Sequence, residues 1–249
     1  MDAGLQRGLI LQHGEDGPPG LLGEWLAERG VRFEVHDTWR EELPADAGRY
    51  AWIASLGSEH TPGAESAPAW VEAEVEFLGR ALEADVPVLG LCFGGQALAL
   101  AAGGSVFPSE PPEVGWLEVQ TSEPALIPPG PWLHFHYDLL RPPASSRVIA
   151  WSPAGPAAFV LGASLGLQFH PESTGEIAMD WARFDARRLA ALGIDPSVLV
   201  PSPDGAREAA FELFDGWSRL AGVHGGNGMG TLSKAPESAS GSTAQEEER

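Results

Sequence analysis

Val86-Pro87-Val88-Leu89-Gly90-Leu91-Cys92-Phe93-Gly94-Gly95-Gln96-Ala97-Leu98-Ala99-Leu100 decides how this chain folds. The apolar run before Cys92 suits a strand covered on both faces, and Gln96 to Ala102 supplies strong helix formers in succession. Almost no loop separates them. So sharp a turn from strand to helix forces backbones together, and Gly90, Gly94 and Gly95 provide the small residues it needs. The reading is a nucleophile elbow with sulfur at its apex. It presents Cys92 at a helix N-terminus, where backbone N–H groups and the helix dipole favour a thiolate. A lone cysteine can instead be a small buried hydrophobe; the glycines on both sides of the turn favour the elbow.

Working outward, Gly8 to Gln12 reads as a first strand. A helix starts near Pro18-Pro19, with Leu21, Leu22, Trp25 and Leu26 on one face and Gly30 as its stop. Val31 to Val35 alternates as a second strand, and Arg49 to Leu56 is a third that runs into Gly57-Ser58-Glu59-His60. Ala69 to Ala84 carries Trp70, Val71, Val75, Leu78 and Leu82 at helical spacing. This β-α-β-β-α-β-α order predicts a parallel sheet covered by helices on both faces. The second half offers short strands at 104–107, 115–119, 132–137, 147–151 and 157–161, expected as a mixed or antiparallel extension of the sheet. A last strand, 164–169, delivers His170, and helices follow at 174–192 and 204–221. From Val223 onward glycine, serine, threonine and glutamate dominate, so 223–249 reads as a disordered tail after a domain over 1–222.

Composition narrows the function. The chain has 249 residues, 43% of them hydrophobic, enough for one sizeable domain with a proper core. Its formal net charge of −20, from 35 acidic and 15 basic residues, repels nucleic acid and anionic membrane alike. The opening residues show no signal-peptide pattern, and no apolar run is long enough to span a bilayer. A free thiol keeps best in a reducing compartment, so a cytoplasmic protein is expected.

A thiol nucleophile needs a base to take its proton, and the base needs an orienting partner. Phe169-His170-Pro171-Glu172 supplies both in four residues. Proline pushes His170 towards an extended conformation, which lets Glu172 come round to the same side and hold one imidazole tautomer. The competing reading is a core histidine at a strand end. It loses ground because strand, proline and carboxylate coincide with an elbow cysteine elsewhere in the chain.

With those residues in view, Gly90-Leu91-Cys92-Phe93-Gly94-Gly95-Gln96 resembles the G-x-C-x-G-x-Q elbow of the class I (triad) glutamine amidotransferases, and His170-Pro171-Glu172 resembles their H-P-E. The similarity covers about residues 8 to 190 and is greatest to single-domain members related to the amidotransferase part of GMP synthase. It implies a three-layer flavodoxin-like α/β fold, mostly parallel with an antiparallel extension. It also implies Cys92 as nucleophile, His170 as acid/base, Glu172 as orienter, and an oxyanion hole from Phe93 and Gly57. Gln96 and the His136-Tyr137-Asp138 segment would hold glutamine. Glu113-Val114-Gly115-Trp116 looks like the family's E-x-G-W. The loop often written G-G-P is Leu56-Gly57-Ser58 here, which leaves a single glycine.

The implied activity is hydrolysis of L-glutamine through a γ-glutamyl thioester, without a cofactor. The ammonia would pass to a separate synthase subunit, because no phosphate loop of Walker type and no dinucleotide fingerprint occurs in the chain. Alternatives are a γ-glutamyl amide hydrolase with the same triad, or a non-catalytic regulatory scaffold. His134 and His136 alternate on a strand and invite a metal reading, but no third ligand stands at useful spacing, so no metal is assigned.

Overall fold

The computed structural model describes residues 7–224; most of the expected tail, 225–249, lies outside them. The chain runs β1 (Arg7–Gln12), α1 (Gly20–Glu28), β2 (Arg32–Asp37), β3 (Trp52–Ser55), α2 (Ala69–Glu83), β4 (Val88–Leu91), α3 (Phe93–Ala101), β5 (Ser105–Leu117), β6 (Gln120–Thr121), β7 (Trp132–Arg141), β8 (Arg147–Trp151), β9 (Pro156–Leu161), β10 (Ser164–Leu167), α4 (Gly175–Phe184), α5 (Ala186–Ala191) and α6 (Ala206–Ala221). Among the described residues no helix is long and apolar enough to cross a membrane.

Eight strands form the central sheet in the order β2-β1-β3-β4-β10-β9-β8-β6. The first five are mutually parallel, and β9, β8 and β6 extend the sheet antiparallel from β10. Alternation along the parallel strands sorts the core into two layers. Leu9, Leu11, Ile53 and Val88 pack with Val71, Phe77 and Leu78 of α2 and Ala97 and Leu98 of α3. Ile10, Trp52, Ala54, Leu89 and Leu91 pack on the other face with Leu22, Trp25 and Leu26 of α1 and Phe214 and Trp217 of α6. The last helix, which the resemblance leaves unassigned, therefore closes one layer of the core. Its ends are Gly205 and Gly222, both left-handed, at φ +81° and +68°.

Two expectations change. The strands expected at 104–107 and 115–119 are one strand, β5, with a register irregularity between Pro108 and Glu113. It pairs with β7 in a separate two-stranded antiparallel sheet, so these strands are not part of the main sheet's extension. The helix expected over 174–192 is two helices meeting at Asp185, whose backbone leaves helical geometry at φ −97°, ψ 17°. Helix α1 starts near Pro18-Pro19 as expected, with Pro19 as its N-cap, and Gly20 passes against the Glu172 carbonyl, where a Cβ would lie 2.2 Å from the oxygen.

Strand β10 lies parallel to β4 with Leu167 opposite Leu91. Cys92 follows one strand and His170 the other, so both leave the same edge of the sheet. In open α/β sheets this carboxyl edge is where ligands bind.

Candidate active site

The elbow is built from close approaches. A Cβ at Gly94 would lie 2.0 Å from the Ser55 carbonyl oxygen, one at Gly95 2.2 Å from that of Leu167, and one at Gly90 2.4 Å from that of Gly94. Glycine is required at each. The turn is held by hydrogen bonds from Cys92 N to Leu167 O (3.0 Å) and from Gly94 N to Leu56 O (3.1 Å). At the apex Cys92 adopts φ +50°, ψ −102°. A non-glycine residue there stores on the order of 1–3 kcal/mol of strain, tolerated because its surroundings overdetermine it. The Phe93 N–H opens α3, where the first turn has no intrahelical acceptor.

His170 enters from β10 and is steadied by its N–H donating to Leu133 O of β7 at 2.8 Å. Its Nδ1 lies 2.7 Å from Glu172 Oε1, and its other side faces the Cys92 sulfur, which acts on it by charge and hydrogen bonding. Burial alone would push the imidazole down; the neighbouring sulfur and carboxylate reverse this and raise it to about 10. The imidazole is therefore held as the cation near neutrality. Glu172 is itself placed by α1, where Leu21 N donates to Glu172 O at 2.8 Å. The indole of Trp181, on α4, packs on the imidazole with centroids 4.7 Å apart.

These groups sit in a cleft of about 620 Å³ lined by Gly57, Cys92, Gln96, His136, Tyr137, Asp138 and His170. Every residue expected to hold substrate reaches it, and three of them have polar groups already tied. Gln96 Nε2 donates to Asp138 O at 3.0 Å, and Thr61 Oγ1 donates to Asp138 Oδ2 at 2.7 Å. The Tyr137 hydroxyl donates to Asp185 Oδ2 at 2.5 Å beneath the Arg188 guanidinium. Burial, then the Asp185 carboxylate, holds that phenol above its ordinary value. Gly57 lies so close to the imidazole that a Cβ would stand 2.6 Å from His170 Cε1.

The family comparisons bear on this cleft directly. The family pattern described as "Glutamine amidotransferase class-I" matches residues 57–179, which include the elbow, the β5–β7 hairpin and the His170–Glu172 turn. Over those residues, just under half of the chain, it is similar to the class I glutamine amidotransferases. It is 33% identical over 166 residues to the GMP synthase [glutamine-hydrolyzing] of Aeropyrum pernix, covering 61% of this chain and 30% of that one. It is 37% identical over 95 residues to a GMP synthase [glutamine-hydrolyzing] subunit of Ignicoccus hospitalis, covering 34% and 50%. The chain thus spans about a third of the larger synthases it matches. Among solved structures, a glutamine amidotransferase from Thermotoga maritima superposes with a TM-score of 0.77 at 24% identity, over 88% of this chain and 99% of that one. One from Methylobacillus flagellatus gives 0.75 at 21%, over 94% and 98%. Both share the fold.

Two groups of the cleft escaped the sequence reading. His13, just after β1, directs Nδ1 to Gly57 O (2.9 Å) and Nε2 to Glu74 Oε2 (2.8 Å), while Ser55 donates to Glu74 Oε1 at 2.6 Å. Its ring packs against both Trp70 and Phe93, which also touch each other. A carbonyl can only accept, so Nδ1 carries a proton. The signal was a polar residue at the carboxyl end of the first strand of a parallel sheet. Arg188 also lines the cleft; as one arginine among many on a helix, it carried no signal. The third surprise is Glu113, which β5 brings to 3.2 Å from His134 and 3.1 Å from His136.

Proposed function

We propose that this chain is a glutaminase subunit that hydrolyses L-glutamine through Cys92, His170 and Glu172. The observation that carries the proposal is the convergence, in one cleft, of a strained elbow sulfur with an imidazole already paired to a carboxylate. The thiolate attacks the side-chain carboxamide. The carbonyl oxygen takes the negative charge beside the Phe93 N–H and the Gly57 loop, where each well-placed donor is worth about 3 kcal/mol of barrier. Protonated His170 gives its proton to the departing nitrogen, and ammonia leaves a γ-glutamyl thioester on Cys92. The neutral imidazole then takes a proton from water, hydroxide adds to the thioester, and glutamate departs with the thiolate restored. Glu172 keeps the ring in one tautomer throughout.

The ammonia goes to a separate synthase protein docked over the cleft. Support comes from the relatives, since the matched region is a fraction of each full GMP synthase and half of a protein that is itself named as one subunit of such a synthase. The test is incubation with L-glutamine and quantification of glutamate and ammonia, with acid quenching to trap the thioester and mass spectrometry to locate it. Equimolar products with a γ-glutamyl adduct at Cys92 are expected. Adduct at another residue, or release of a γ-glutamyl amine from other amides with glutamine untouched, rejects the reading.

A further inference from the structure

The hairpin of β5 and β7 brings three donor atoms to one point on its inner face. Glu113 pairs across from His136 and Gly115 across from His134, so the three side chains share a face of the two strands. His134 Nδ1, His136 Nε2 and Glu113 Oε2 form a nearly equilateral triangle with edges of 3.3, 3.1 and 3.2 Å. The side chains are at most 6% exposed. Among the described residues they are the group of three whose donor atoms lie within reach of a single ion.

A hydrogen-bonded cluster accounts poorly for this triangle. Glu113 Oε2 lies within 3.2 Å of both imidazoles yet accepts a well-directed hydrogen bond from neither. The other carboxylate oxygen, Oε1, accepts from the Ala154 N–H at 3.0 Å, which fixes the carboxylate plane and leaves Oε2 aimed into the triangle. Three inward lone pairs repel one another, two inward N–H groups would face each other across 3.3 Å, and the one-proton arrangement that lets His134 Nδ1 and His136 Nε2 hydrogen-bond leaves Glu113 Oε2 facing the lone pair of the acceptor nitrogen. A cation at the centre removes these conflicts. Bonds of about 2.0–2.1 Å in tetrahedral geometry separate ligand atoms by about 3.3 Å, close to the edges seen.

We propose that Glu113, His134 and His136 bind one divalent transition-metal ion, of which zinc fits best. Two imidazoles and a carboxylate form a donor set suited to zinc, with the fourth position left to water. The Ala154 contact acts as the outer-shell partner that orients the carboxylate. The ion's role is to staple β5 to β7. Strand β7 carries Tyr137 and Asp138 into the cleft and accepts the His170 N–H at Leu133, so the staple stiffens the wall against which glutamine and the catalytic imidazole are placed. This inference does not depend on the glutaminase reading.

The full chain, purified without a metal-affinity tag and stripped with a chelator, is titrated with Zn²⁺ against a chromophoric competitor while its melting temperature is followed. One equivalent bound per chain and a higher melting temperature are expected, with affinity at least about 100-fold weaker in Glu113→Gln and His134→Gln. Co²⁺ in the wild type reads the site without relying on those variants folding: intense tetrahedral d–d bands support it. Less than about a tenth of an equivalent bound at micromolar Zn²⁺ overturns the proposal, as do variants that bind like wild type or Co²⁺ bands of octahedral weakness.

Discussion

The His170–Glu172 and His13–Glu74 pairs are both buried beside this cleft, and of the two only the first faces a nucleophile. His170 and Glu172 lie 2.7 Å apart, His13 and Glu74 2.8 Å apart, and all four side chains are almost fully enclosed. What differs is the group at the second ring nitrogen. His170 turns it to sulfur, which can exchange a proton; His13 turns it to the Gly57 carbonyl, which can only accept. The same kind of pair is therefore placed for the proposed acid–base work in one position and holds a loop in the other. A histidine beside a carboxylate is not by itself evidence of catalysis; what its far nitrogen meets decides.

The largest expected effect comes from Cys92→Ala and His170→Ala, each removing about 10⁴-fold or more of glutamine turnover with the melting temperature held. The comparison breaks if His13→Ala does the same. Gly57→Ala comes next. Its Cβ meets His170 Cε1 at 2.6 Å and must displace either the imidazole or the loop, so steady-state assays should show a loss of about 10²–10³-fold. Glu172→Gln should retain about 10²-fold more activity than His170→Ala, since an orienting group is partly replaceable.

His13→Ala should cost about tenfold in kcat, because it loosens the Gly57 loop proposed to face the oxyanion without deleting a donor, and it should leave Cys92 alkylation by iodoacetamide unchanged. A parallel fall in alkylation would show His13 acting on the thiol and erase the distinction. The pH dependence of alkylation sharpens it further. Because His170 keeps its proton up to about pH 10, the cation that favours the thiolate is present throughout the neutral range. Reactivity should therefore persist well below pH 8, where a free thiol of pKa about 8.5 loses about tenfold per unit. In His170→Ala the ordinary thiol profile should return. The smallest effect is Ser55→Ala, which leaves Glu74 one donor short and should lower stability by about 1 kcal/mol in chemical denaturation.

Much of this arrangement was legible beforehand for a local reason. The elbow announces itself because Gly90, Gly94 and Gly95 are demanded by contacts within a few residues or with adjacent strands, and His170-Pro171-Glu172 constrains its own backbone. The residues that were missed act across distance. His13 and Glu74 lie on β1's exit and on α2, and nothing in either neighbourhood names the other. Glu113 meets His134 and His136 only because an irregularity in β5 sets the register of the hairpin. The split of one expected helix at Asp185 likewise follows from a side chain engaged by Tyr137 of a distant strand.

From the sequence by itself came the order of strands and helices, the sharp turn at Cys92 and the local geometry of His170, because periodicity, glycine placement and proline act over a few residues. Tertiary structure alone decided which strand lies beside β4, and with it that an imidazole meets the sulfur, that His13 grips the Gly57 loop and that three donors close on one point. Those outcomes depend on register between strands distant in the chain, which is set by the packing of the whole core.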